Sequence, residues 1–119
     1  MMEIELYLKA GDIVLVDFAP VRGHEQDGTR PALVMTDAVY NEQSSFVIIC
    51  PITSNPKPWP FKIMLPVGLK VSGFVMLDQI KSVDQRRWIL RRLDTLPAEY
   101  LLEMRWRLGA LLSLPQAQA

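Results

Sequence analysis

At 119 residues, half of them hydrophobic and 22% charged, the chain has the size and composition of one soluble globular domain built on a single core. Thirteen basic and thirteen acidic side chains cancel, which argues against a broad nucleic-acid-binding surface, and no apolar run reaches membrane-spanning length. A lone cysteine excludes an internal disulfide, and a lone histidine beside it argues against a zinc cluster.

The start, Met1-Met2-Glu3-Ile4-Glu5, lacks the basic and long apolar stretches of a signal peptide, so a cytoplasmic protein is expected. Residues 11–18 and 30–35 read as two strands around a Gly-bounded loop, and residues 37–41 as a short helical turn or loop. Residues 46–52 form a β-branched run typical of a central strand, with Cys50 inside it as a buried structural thiol. Three prolines (Pro56, Pro58, Pro60) then break the chain. Short strands are expected at 61–65, 73–77, 80–83 and 88–90, with turns at Gly68 and Gly73. Pro97 suits the first position of a final helix, with Leu101, Met104, Leu108, Leu111 and Leu112 on one stripe and Pro115 stopping it. Many short strands followed by one helix predict a mainly β domain with α, a small curved sheet or barrel spanning residues 1–119, with 114–119 a frayed tail.

The loop between the first two strands gathers His24, Glu25, Gln26 and Arg30 between rigid elements, which is how a site is held. Arg30 precedes Pro31 and is therefore extended. Its guanidinium can grip a phosphate through two parallel hydrogen bonds, or tie the loop down through Glu25 or Asp27. Glu25 can act as a base or stand as a solvated carboxylate; His24 can donate to a phosphate, stack on a base or simply be exposed. Thr53 ends the strongest strand, either capping backbone or donating to a phosphate oxygen with Ser54 and Asn55 beside it. Asp78 and Gln79 adjoin an apolar strand, where a carboxylate needs a partner, and Arg30 is a candidate. Trp59 can stack on an unpaired base or cover the core. Trp106, in line with Leu102, makes a second apolar strip on the helix that suits a subunit interface.

Gly11-Asp12-Ile13-Val14, Gly23-His24-Glu25-Gln26 with Gly28-Thr29-Arg30-Pro31, Pro51-Ile52-Thr53 and Leu77-Asp78-Gln79-Ile80-Lys81 together resemble the MazF/PemK family of toxin ribonucleases, from about Gly11 to the final helix. The resemblance implies an SH3-like β-barrel of the CcdB/PemK kind with a C-terminal helix, working as a homodimer. It implies a toxin of a type II toxin–antitoxin system that cuts single-stranded mRNA sequence-selectively, without metal or cofactor. The ends would be a 2′,3′-cyclic phosphate and a 5′-hydroxyl. It also implies an antitoxin that lays a disordered acidic tail into the RNA groove.

Arg30 and Thr53 match the family's central catalytic pair, Glu25 would be the base, and His24 and Asp78 match positions used in the PemK branch for phosphate stabilisation and base work. Gln26, Ser54, Asn55, Lys57, Trp59 and Gln79 join His24 as expected RNA contacts. The chain departs from that branch at Met76, where an arginine is expected, which leaves the acid role open and favours Glu25 over Asp78 as base. The competing class is a CcdB-like gyrase poison, which would not need Glu25, Arg30 and Thr53 in register. A member that only binds RNA or antitoxin is the third reading.

Overall fold

The computed structural model describes residues 7–18 and 28–116. Seven strands lie in one antiparallel sheet: β1 (Asp12–Asp17), β2 (Thr29–Val34), β3 (Phe46–Thr53), β4 (Lys62–Met64), β5 (Phe74–Met76), β6 (Lys81–Asp84) and β7 (Ile89–Thr95). A short helix, α1 (Ala38–Gln43), joins β2 to β3, a single helical turn, α2 (Gln85–Trp88), joins β6 to β7, and α3 (Ala98–Leu111) closes the chain. The strands run in the order β4-β5-β3-β2-β1-β7, with β6 as an additional partner of β3. The mainly β class with a C-terminal helix is as expected. Among the described residues the path is open, with β4 and β7 at its ends, and hydrogen bonds do not close it into a ring.

Both faces of the central strands are apolar, because each strand feeds two cores by simple alternation. Ile13, Leu33, Cys50 and Ile52 meet Met104 of α3 in one cluster, against which Leu101 and Leu108 also pack. Val14, Val16, Ala32, Val34, Val47 and Ile49 form the other, covered by Phe18, Trp88 and Ile89. Asn41 of α1 is buried, with Thr36 Oγ1 donating to its Oδ1 and its own Nδ2 donating to the carbonyls of Leu8 and Thr36. The satisfied amide pins α1 to the segment before β1.

The Cys50 thiol is buried as expected, and burial, aided by the negative charge of Asp78, pushes its pKa from 9.0 up to about 12. The folded state therefore holds the neutral thiol. This preference contributes fully below the unfolded value and is lost as pH rises from 9.0 towards 12. Urea midpoints should accordingly fall between neutral pH and about pH 10, and fall less in Cys50→Ala.

Three local expectations need correction. Residues 85–95 form a helical turn and a seven-residue strand, longer than the expected strand at 88–90. The end strand β7 has a single described neighbour, β1, so it carries Arg91 and Arg92 where an inner strand would be apolar. Pro97 is the N-cap of α3 rather than its first helical residue, and Leu112 lies past the helix end and is half exposed. The helix stops before Pro115. Ser113, at φ 60°, donates to the Ala110 carbonyl and Leu114 donates to that of Gly109, a Schellman ending with serine where glycine is usual.

Candidate functional site

The site exists because β3 changes partner. On one edge it pairs β6 as far as Ile49, and from Ile52 it pairs β5. Cys50 and Pro51 fall in the gap, where a proline that cannot donate to a ladder is tolerated. A 3-10 turn, Leu77–Gln79, carries the chain from β5 across this gap towards β6. Its first residue, Leu77, is buried in the core facing α3, so the next two, Asp78 and Gln79, are turned outward.

An open cleft of about 590 Å³ results, lined by Phe18, Arg30, Pro51, Met76, Asp78, Gln79, Ile80 and Lys81. Arg30 reaches it from β2, where its backbone is held opposite Val16 of β1. The guanidinium is exposed and makes no ion pair or hydrogen bond with any described residue. The candidate Arg30–Asp78 pair is thus not made. Asp78 Oδ2 instead accepts from Trp59 Nε1 at 3.0 Å, so the tryptophan is tied to the rim of the cleft rather than to the core. Trp59 also meets Phe61 edge to face at 5.6 Å and stays half exposed.

Thr53 stands at the end of β3, two residues beyond Pro51 and outside the cleft lining. Its Oγ1 accepts from the Asn55 backbone N–H at 3.1 Å, and the hydroxyl hydrogen remains free to donate. Gly73, at φ +133°, lies so close that a Cβ there would sit 2.5 Å from the Thr53 carbonyl oxygen, so glycine is required for β5 to reach this strand end. The loop beyond is stitched to itself. Lys57 N–H donates to Asn55 Oδ1 at 2.9 Å, and Lys62 Nζ donates to the carbonyls of Asn55 and Lys57. Ser54, Asn55 and Lys57 are exposed on it.

Of the expected site residues, the structure brings Arg30, Asp78 and Gln79 into one cleft, sets Trp59 on its rim and leaves Thr53, Ser54, Asn55 and Lys57 on the adjoining loop. His24, Glu25 and Gln26 lie outside the described residues. Phe18 and Lys81 line the cleft and were not among the expected site residues. Lys81 Nζ stands 5.4 Å from the Phe18 ring centroid and 5.6 Å from that of Trp88, and those two rings meet edge to face at 6.1 Å. The signal for Lys81 was its place three residues after Asp78 in the same motif.

Chemically, the cleft offers a forked cation, a point cation, a carboxylate and an amide around a space open to solvent. That is a set for holding a phosphate and moving a proton. Among the described residues, no three His, Cys, Asp or Glu side chains are grouped to hold a metal ion, and no helix is long and apolar enough to cross a membrane.

Fold and cleft together define a small mainly β domain that carries an open cleft lined by Arg30, Lys81, Asp78 and Gln79. The chain belongs to the family of PemK-like, MazF-like toxins of type II toxin–antitoxin systems, whose sequence profile matches residues 9–112. It is 33% identical to Endoribonuclease PemK of Escherichia coli over 110 residues, covering 89% of this chain and 83% of that protein. It is 32% identical to Endoribonuclease toxin MazF of Escherichia coli (strain K12) over 102 residues, 86% of this chain and 91% of that one. Among solved structures, MazF of Deinococcus radiodurans superposes with a TM-score of 0.78 at 43% identity, covering 91% of this chain and 98% of that chain. The MazE-MazF complex from the same organism gives 0.77 at 38% identity, covering 92% and 98%.

Proposed function

We propose that this chain is the toxin of a type II toxin–antitoxin pair and an endoribonuclease that cuts single-stranded RNA without a metal ion. The observation that carries the reading is the meeting of Arg30, from β2, with Asp78 and Gln79, from the 3-10 turn, in one open cleft of a PemK/MazF-family chain. Two of the relatives it resembles are named endoribonucleases, which supports the same activity here.

RNA carries its own nucleophile. A base removes the proton of a 2′-hydroxyl, that oxygen attacks the adjacent phosphorus, and the 5′-oxygen leaves with a proton from an acid. The ends left are a 2′,3′-cyclic phosphate and a 5′-hydroxyl. Such a reaction needs positioned cations and proton carriers rather than a metal-bound water. In this reading Arg30 holds the non-bridging oxygens and stabilises the charge that builds on them. Thr53 donates its free hydroxyl hydrogen to a phosphate oxygen. Glu25 is the favoured base, with Asp78 the alternative already seated in the cleft. Met76 can carry no proton, so the acid comes from elsewhere on the rim. His24, Gln26, Ser54, Asn55, Lys57, Trp59 and Gln79 contact the RNA on either side of the cut.

A second copy of the chain would cover the exposed strip of Leu102 and Trp106 on α3. The MazE-MazF complex of Deinococcus radiodurans supports an antitoxin partner for this chain too, whose acidic tail would occupy the RNA groove in the cytoplasm.

The test is purified protein with a long single-stranded RNA in excess EDTA, with the ends mapped. Discrete cuts bearing 5′-hydroxyl ends are expected. Cutting that requires added magnesium would sink the metal-free chemistry. Gyrase inhibition without any cutting would favour the CcdB-like reading.

A further inference from the structure

The chain as a whole is neutral, yet its charge is not evenly placed. Residues 81–92 hold Lys81, Arg86, Arg87, Arg91 and Arg92 against a single carboxylate, Asp84. Elsewhere several of the described cations are engaged. Arg105 pairs with Asp37, Arg107 with Glu103, and Lys62 with two backbone carbonyls. In this segment Arg92 is drawn to the buried Asp12, and Asp84 caps α2 by accepting from the Arg86 backbone N–H at 3.0 Å. The side chains of Arg86, Arg87 and Arg91 are exposed and, among the described residues, make no ion pair. Clustered like charges repel one another, so such a group is unfavourable by itself and calls for a polyanion.

Its position says which one. Ile89 of β7 pairs with Val16 of β1, and Val16 pairs with Arg30 of β2. The start of β7 is therefore two strand spacings, about 10 Å, from Arg30. Lys81 bridges the interval, since it lines the cleft while its ammonium lies against both Phe18 and Trp88. Trp88 ends α2 directly after Arg86 and Arg87. Arg30 and Lys81 thus share the cleft, and Lys81 in turn lies against Trp88 at the end of the Arg-bearing α2, with two aromatic rings among these cations. Cations interleaved with aromatics suit a single nucleic-acid strand.

We infer that RNA bound in the cleft continues over a second, electrostatic site made by Lys81, Arg86, Arg87 and Arg91, on the β7 side of Arg30. The inference rests on the ribonuclease reading above and assigns the site to the sugar–phosphate backbone rather than to bases. It strengthens binding without choosing the sequence cut. The neutral total charge then presents no obstacle, because the cations are concentrated along one path.

The test compares the wild-type protein with R86Q/R87Q/R91Q and with R86K/R87K/R91K, using cleavage of a long and a six-nucleotide RNA across a potassium chloride series. For the glutamine variant, KM on the long RNA should rise at least tenfold at low salt with the cut positions unchanged. Removing three phosphate contacts should flatten the logarithmic salt slope by about 2, at roughly 0.7 per contact on a single strand. The lysine variant should keep the wild-type slope, which guards against a folding defect. An unchanged slope, or an equal loss on long and short RNA, would overturn the site.

The same three-site change is also made in an Arg30→Ala background, and RNA binding is read by fluorescence anisotropy. If the wild-type protein does not cut RNA at all, the nuclease reading fails, and the binding slopes alone judge the basic path. Unaltered RNA binding combined with lost affinity for a polyglutamate peptide would assign the surface to an acidic protein partner and refute the proposal.

Discussion

Arg30→Ala is expected to lower kcat for RNA cleavage by ~10²–10³-fold or more, about 3–4 kcal/mol of transition-state stabilisation. The expectation follows from where the guanidinium sits. Its backbone is fixed in the β1–β2 ladder, the following Pro31 keeps it extended, and its side chain enters the cleft with no described partner to compete. A cation pre-placed in this way need not reorganise as charge develops on the phosphate. The loss should fall mainly on kcat, because the interaction strengthens in the transition state. Stability should move by no more than about 0.5 kcal/mol, since the side chain is exposed and packs into neither core. Arg30→Lys should recover only part of the rate, because an ammonium cannot make the two parallel contacts of the fork. A variant with alanine here that kept a third of the wild-type kcat would remove Arg30 from the chemistry.

How much of this could be read from the chain depends on whether a feature is local. The apolar runs of β1, β2 and β3 are legible because burial on two faces leaves continuous hydrophobic stretches, and α3 because Leu101, Met104 and Leu108 pack on the core at helical spacing. β7 was under-read because an end strand tolerates arginines, and α2 because four residues leave no periodicity to detect. Arg30, Asp78 and Gln79 were legible as chemistry-bearing residues beside apolar strands. That they share a cleft is a consequence of the partner switch at Cys50–Pro51, which no local pattern announces. Asp78 was rightly expected to need a partner, but the partner is the indole of Trp59, 19 residues away. Phe18 and Lys81 escaped for the same reason. Phe18 looks ordinary in its own segment, Lys81 shows only by its place in the Asp78 motif, and their contact is made by tertiary closure.

Stability should depend most on a residue far from the cleft. Asp12 is fully buried at the start of β1 and ties three parts of the chain together. Its Oδ1 lies 3.1 Å from Lys9 Nζ and accepts from Thr95 Oγ1 at 3.2 Å. Its Oδ2 accepts from the Lys9 backbone N–H at 2.9 Å and stands 3.2 Å from Arg92 Nε. The turn before β1, β1 itself and β7 are thereby joined through one carboxylate. A buried charge of this kind contributes little compared with an apolar replacement of both partners, but removing the carboxylate alone leaves the buried Nε of Arg92 without its counter-charge. Asp12→Ala should therefore cost about 3–5 kcal/mol, a large share of the ~5–15 kcal/mol typical of a domain. In a chain of this size the melting temperature should drop by about 10–20 °C. Asp12→Asn should cost less, because the amide oxygen can still accept while the charge facing Arg92 is lost. Urea denaturation of the two variants measures both values, and a loss below about 1 kcal/mol for alanine would show that the pairs are dispensable. Cleavage assays then separate the two classes of residue. The folded fraction of an Asp12 variant should cut with wild-type KM and kcat, because β1 carries the site only at its opposite end, next to Arg30. Loss of rate without loss of fold belongs to Arg30, and loss of fold without change in the surviving rate belongs to Asp12.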